Sequence, residues 1–517
     1  MNDRSARKLS GLALAVVVAG AAVAAAFLHR RGHLTGDDFA LYINQARALF
    51  EGNIASVISN NRFLWENSTA VTPQMYPWGF PILLAPFVRF FGAAAYDRMA
   101  YLEVACLCAW LVLFHGIVRR RAGRIVALAI VALFATAPVY LVHTDQLLTE
   151  FPHMMVTAVV IWWLDRVMAR HRLTVATTNE LVTLGLLAVA AYNVRREGLA
   201  LVAVIAAAQL VDVAAARRTA GAAAATTQWL RSLPWRTLLL PHAVFVAAAA
   251  LFQFLLPSTL IPDNDNSIGN IPTRLLNLDA RDYPHRLTEQ LGLDGHPLLG
   301  LVLLGLAGAG ALVACIRRPR HNVPLATLML TTMLIVGTHF RMVERYYYQV
   351  TPLVVFFVTM LAVSSGELLA RGRRRALAAP RMLAVLAVAP VLYVTAIHVW
   401  TLPSHVDAAQ RYNDTGSVQS GGLTWRTEPA FDAIVNYTDI DDKVVYYRAR
   451  AMTLYTGRRG VQTQLVSKAQ RLGDWYLEAL WTANDYSQLR VGIDELLSRD
   501  WKIVWENEHW RLWRIPD

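Results

Sequence analysis

Apolar residues in this chain come in blocks of about twenty with few charges inside them. The blocks lie near 10–28, 96–118, 125–142, 151–168, 181–194, 198–215, 238–256, 298–316, 324–340, 350–369 and 381–402. At 1.5 Å of rise per residue, such a block is what a helix needs to cross roughly 30 Å of hydrocarbon. Of the 517 residues, 55% are hydrophobic and 17% charged, a composition that a soluble protein could bury only in a very large core. The blocks predict a polytopic α-helical membrane protein of about eleven spans.

The formal charge of +12 could suggest nucleic acid, but much of the basic excess sits in short loops between the blocks. The clusters are Arg4, Arg7 and Lys8; Arg119–Arg121 and Arg124; Arg166, Arg170 and Arg172; Arg217 and Arg218; Arg317, Arg318 and Arg320; and Arg371 and Arg373–Arg375. Short arginine-rich loops stay in the cytoplasm. With eleven spans all six clusters fall on one side, which puts the amino end inside and residues 403–517 outside, with no role for nucleic acid. The expected location is the inner (plasma) membrane. Only Asn193–Gly198 separate the fifth and sixth blocks, and a single broken helix there would put the later basic loops on the wrong side. The first block also resembles a signal peptide, but its apolar stretch is longer than the usual 7–15 residues, so a retained helix is expected. Cys106, Cys108 and Cys315 all lie in apolar blocks and show neither a disulfide framework nor metal-ligand spacing.

Two domains follow: a membrane part, 1–402, whose first outer loop spans 29–95, and an α/β domain, 403–517. In the loop, Phe39, Tyr42, Ile43, Ala46, Leu49 and Phe50 recur with helical period, as in an amphipathic helix on a membrane surface, and Phe80–Phe91 reads as a second. In the tail, Lys443–Tyr447, Val461–Val466 and Trp501–Trp505 read as strands and Ile493–Ser498 as helix. Trp510–Ile515, after a turn at Glu506–His509, closes a hairpin.

Charges near a bilayer centre cost at least about 2.5–3.5 kcal/mol each. Glu103, Asp165 and Asp212 stand towards block ends, and no block has an ionisable residue at its middle. A proton- or ion-coupled carrier would normally place such groups at mid-depth. Here the chemistry-bearing residues gather at the outer edge. Asp37-Asp38 opens the surface helix, where an N-cap is the plain alternative. His143-Thr144-Asp145 with Glu150 precedes the fourth helix, with the same alternative. Arg195-Arg196-Glu197 goes against the positive-inside trend and suits an anion, although snorkelling to lipid headgroups would also place arginines there. His339, Arg341, Glu344, Arg345 and Tyr346 add cationic donors at a similar depth. Guanidinium groups clamp phosphate through paired, charge-assisted hydrogen bonds. A carboxylate can take the proton of an attacking hydroxyl.

These residues resemble an order of motifs in the GT-C superfamily of membrane glycosyltransferases, near the protein O-mannosyltransferase and 4-amino-arabinose transferase branch. The resemblance rests on the run Asp37–Arg47, on Tyr76-Pro77-Trp78-Gly79-Phe80-Pro81, on Arg195-Arg196-Glu197-Gly198, and on Arg345-Tyr346 followed by Pro352. The closing hairpin of the tail is a further likeness. It implies a polyprenyl-phosphate-linked monosaccharide as donor, an inverting transfer to an extracytoplasmic glycan, lipid or protein, and contact with membrane lipids. Tyr42, Ala46 and Arg47 stand at the family's distances from Asp38, which makes Asp38 the expected base and Asp37 its partner. The family's glutamate after the base is Phe39 here. Arg195, Arg196, Arg341, Arg345 and Tyr346 are then the expected phosphate-binding residues. Asp145, Glu150, Glu197 and His339 could orient the acceptor or bind a divalent cation, and no residue cluster demands a metal. A lipid-linked sugar flippase and a non-catalytic envelope assembly protein are the alternatives.

Overall fold

The computed structural model describes residues 3–33, 37–68, 71, 73–220, 233–260, 282–293, 296–337, 344–372, 379–415, 423, 425–480 and 488–516. Among the described residues each apolar block is helical over most of its length. After α1 (Asp3–Leu28) come three helices of the first loop, α2 (Asp38–Glu51), α3 (Ile54–Asn67) and α4 (Gly79–Phe91). The bundle continues through α5 (Tyr101–Ala122), α6 (Arg124–Thr136), α7 (Glu150–Arg170), α8 (Thr178–Val194) and α9 (Ala200–Ala220). Then follow α10 (Trp235–Leu255), α11 (Pro297–Arg317), α12 (Pro319–Gly337), α13 (Val350–Gly372) and α14 (Ala379–Thr415).

Among the described residues, five helical segments are long and apolar enough to cross a membrane: Lys8–Leu28, Tyr96–Ala122, Arg196–Arg217, Trp235–Leu255 and Pro297–Arg317. A sixth is bent by 55° where α6 gives way to the short segment that starts at Pro138. Proline lacks the N–H and clashes with the preceding turn, so the 125–142 block is two helical pieces and not one rod. The fifth and sixth blocks are separate helices, α8 and α9, joined through an extended Arg195 (φ −147°, ψ 143°) and a short 3₁₀ turn at Arg196–Leu199.

One continuous core runs through the bundle, with Trp110, Phe134, Tyr140, Phe151 and Tyr348 in edge-on and stacked ring contacts along it. Two of the acidic residues at block ends serve as latches between helices. Asp165 takes two 2.7 Å hydrogen bonds from the Arg121 fork, and Asp212 lies 2.7 Å from Arg320 Nε. Charge pairing removes the cost of leaving either partner alone in a poorly solvated place.

Beyond α14 the chain forms α15 (Glu428–Tyr437), β1 (Lys443–Val445), α16 (Ala449–Thr456), β2 (Arg459–Val461) and β3 (Trp475–Ala479). It ends with a helix at Ile493–Ser498, β4 (Lys502–Glu506) and β5 (Trp510–Arg514). The five strands make one mixed sheet in the order β2-β1-β3-β5-β4, parallel between β2, β1 and β3 and antiparallel from β3 onward. The second strand ends at Val461 where Val461–Val466 was expected, and β3 had no counterpart in the sequence reading. Trp501, Trp510 and Trp513 are buried against the sheet.

Candidate active site

Two of the motifs meet at the turn between α8 and α9. A Cβ on Gly79 would lie 2.5 Å from the carbonyl of Asn193, and one on Gly198 would lie 2.5 Å from the amide of Tyr192. Only glycine lets these backbones approach so closely. The two glycines therefore grip residues 191–194 from both sides, and the residue delivered by that grip is Arg195.

Arg195 is at the centre of a chain of charges. Its Nη1 is 2.7 Å from Glu150 Oε1 and its Nη2 is 2.7 Å from Glu197 Oε1. Arg345 Nε is 3.4 Å from the same Glu150 oxygen. The ring of Tyr346 lies under both guanidinium groups, 5.2 Å from Arg195 Cζ and 5.6 Å from Arg345 Cζ, within cation–π range. Burial works against the charge on Arg195, but Glu197 and Glu150 outweigh it and keep the group well above its ordinary pKa. Arg345 is held up in the same way, against its burial, chiefly by Glu150. These residues, with His153, Thr332 and Gln349, line a pocket of about 300 Å³. Among the described residues Glu150 Oε2 and Arg345 Nε have no hydrogen-bond partner, so a ligand hydroxyl could donate to the first and a ligand oxygen accept from the second.

Asp38 stands at the edge of this chain. Arg345 Nη2 is 3.8 Å from its Oδ2 and Arg450 Nη1 is 3.7 Å from its Oδ1, and its side chain remains 24% exposed. The Tyr76 hydroxyl bonds the same carboxylate. Burial, with Asp38 next in weight, raises the phenols of Tyr42 and Tyr76 far above their usual value, so both remain protonated.

Asp37 is different. It occupies the N-cap position of α2 but makes no side-chain capping bond, and its Oδ2 instead accepts the N–H of Arg450 at 2.9 Å. Burial pushes its carboxyl above the ordinary aspartate value, which Arg450 and Arg448 offset only in part. The apolar side of α2 packs on Phe80, Leu84 and Val88 of α4 and on Ala451 and Leu454 of α16. The helix is sandwiched between these elements.

Arg450 had no signal in the sequence. It sits in an unremarkable stretch of the tail, 413 residues from Asp37. Its Nε donates to Asn61 Oδ1 at 3.0 Å and its Nη2 to the Pro73 carbonyl at 2.6 Å. Tyr42 and Tyr76 were noticed only as motif letters.

Some expected residues go elsewhere. Asp145 is buried and bound by Arg30, whose Nε lies 2.7 Å from Oδ2, so it braces α1 against the 3₁₀ turn at His143–Asp145 and neither caps α7 nor reaches the pocket. Arg196 turns away from Arg195 to Ser258 Oγ (2.5 Å) and the Thr259 carbonyl (3.2 Å), with its guanidinium over Tyr192. His339 and Arg341 lie outside the described residues. Among the described residues no three His, Cys, Asp or Glu side chains gather as ligands, and Glu150 and Glu197 are both engaged by Arg195.

No family model matches the chain, and neither does any curated protein. Solved structures do match it. ArnT from Cupriavidus metallidurans bound to undecaprenyl phosphate aligns over 98% of this chain and 97% of its own, with 13% identity and a TM-score of 0.53. The Archaeoglobus fulgidus oligosaccharyltransferase in complex with zinc and sulfate aligns over 90% of this chain and 68% of its own, with 13% identity and a TM-score of 0.53. The archaeal oligosaccharyltransferase AglB from the same organism, with an inhibitory peptide and a dolichol-phosphate, aligns with 12% identity over 90% of this chain and 69% of its own, at a TM-score of 0.52. The chain has the GT-C fold. Within that fold Asp38 opens α2, and its carboxylate lies 3.8 Å from Arg345, which lines the pocket with Arg195.

Proposed function

We propose that this protein is a membrane glycosyltransferase that moves a monosaccharide from a polyprenyl-phosphate donor to a hydroxyl on an extracytoplasmic acceptor, with inversion. The observation that carries the reading is Asp38, a partly exposed carboxylate 3.8 Å from an arginine that shares Glu150 with Arg195. The GT-C fold and the lipid phosphates bound by two proteins that share it support the same class of donor.

The acceptor oxygen attacks the anomeric carbon and its proton passes to Asp38. The bond from that carbon to the phosphate oxygen breaks, and its electron pair leaves with the phosphate. Arg195 and Arg345 stabilise the charge that develops on the leaving side, as fixed donors in a partly dry pocket. Glu150 and Glu197 balance these two arginines while no donor is bound, so an entering phosphate competes with carboxylates for the forks. Asp37 serves as a positioning residue, holding Arg450 against Asp38. We place eleven helices across the membrane with the amino end in the cytoplasm, so that the site opens to the outside.

The test is Asp38→Asn at unchanged expression, with transfer followed in detergent. General-base catalysis contributes about 10²–10⁴-fold, so kcat should fall by that factor while donor binding persists. Full activity in the variant would remove the base. A carrier would form no product in detergent, where there is no gradient.

A further inference from the structure

A second cavity lies where α2 and α3 face α16 and β2. It holds about 780 Å³ of empty space, part of it open to solvent. Its lining contains four asparagines, three arginines, a serine and a threonine, and no aspartate or glutamate. Leu41, Val57 and Leu64 are its few large apolar side chains.

This composition selects its ligand. An asparagine amide presents a donor and an acceptor side by side, as paired sugar hydroxyls require. Arginine forks match carboxylate or phosphate oxygens. Arg459 is exposed and lies over the Phe63 ring at 5.9 Å, and Arg47 is held by Asn44 at 3.0 Å with Glu51 at 3.6 Å. Glu51 therefore offsets Arg47, and Asp38, 3.7 Å from Arg450, offsets a second cation, which leaves the exposed Arg459 as the positive charge of the groove. The lining is too polar to shelter a lipid chain. A peptide strand is disfavoured too, because α3 covers the outer edge of β2, where the Gln462 amide already donates to Ser68 Oγ at 2.9 Å.

We infer that this groove binds an acidic, hydroxyl-rich glycan as the inner part of the acceptor, whose terminal hydroxyl reaches Asp38. The link is Arg450, which lines the groove and also lies 3.7 Å from Asp38. The acceptor role rests on the transferase reading, whereas the binding itself does not.

The experiment uses the full chain in lipid nanodiscs, carrying Asp38→Asn so that nothing turns over. Tetragalacturonate, neutral maltotetraose and a tetraglutamate peptide are titrated by thermophoresis. Tetragalacturonate should bind most tightly of the three. Its Kd should rise about tenfold in Arg459→Gln and in Asn60→Asp and stay near the parent value in Arg459→Lys, with unfolding midpoints unchanged. Equal affinity in Arg459→Gln, a preference for the peptide, or no binding of tetragalacturonate overturns the assignment. Because binding is read without turnover, Asp38→Asn can lose transfer and keep the glycan, or the parent can transfer and never bind it. The two readings therefore fail separately.

Discussion

Replacing Arg450 by methionine keeps the apolar stem and removes the fork. Two charge-assisted hydrogen bonds disappear, to Asn61 at 3.0 Å and to the Pro73 carbonyl at 2.6 Å, together with the cation 3.7 Å from Asp38. Bonds to a charged group contribute about 1.5–3 kcal/mol each, so the pair amounts to roughly 3–6 kcal/mol. The main-chain N–H of Arg450 still reaches Asp37, so α16 should remain on α2 but loosen. A displacement of about 1 Å at a reacting group can lower a rate by about 10²-fold, and that is the expected fall in kcat. Arg450→Lys should recover part of it, because an ammonium restores the charge but cannot span Asn61 and Pro73 together. The assay pairs sugar transfer in detergent with hydrogen exchange of the amides of residues 443–461. Wild-type kcat and unchanged exchange in Arg450→Met would refute the role given to this residue.

Arg345→Gln should weaken donor binding or kcat/KM by about 10- to 100-fold, from one lost charge-assisted contact, and an unchanged KM and kcat would count against phosphate binding there. Asp37 has a folded-state pKa raised by burial. Its stabilising contribution is present below the unfolded value of about 3.9 and lost as pH rises through the raised folded value. Wild type should therefore gain stability relative to Asp37→Asn as pH falls towards 4, and a gap that moves the other way in denaturant midpoints would show the sign to be wrong. Gly79→Ala forces a methyl to within 2.5 Å of the Asn193 carbonyl, so the 191–194 backbone must shift and Arg195 with it. Its expected signature is a raised donor KM even where expression is normal, and an unaltered KM would mean that the grip is not needed. Asp145→Asn should lower the thermal midpoint through the lost Arg30 pair and leave the KM of the donor alone.

The membrane helices were legible because a bilayer demands long apolar runs and tolerates few charges inside them. The bend at Pro138 was not, since the apolar run continues straight through it. Asp38 and Arg345, grouped in the sequence through motif distances, lie 3.8 Å apart. Arg196 and Asp145 share outer-edge motifs with Arg195 and Glu150, but side-chain direction is set by partners far away in sequence. Ser258 and Thr259 claim one, and Arg30 the other. Arg450 was hidden for the same reason: its meaning depends on Asn61, Pro73 and the acidic pair, none of them local. The strand at Trp475–Ala479 is buried on both faces at its start and carries no alternation to mark it.

The hydrogen bond between Arg450 and Asp37 joins residues 413 positions apart. A chain still being synthesised has its carboxylates long before it has their guanidinium companion. Until residues 443–461 are made and folded, the surroundings of the acidic pair stay incomplete.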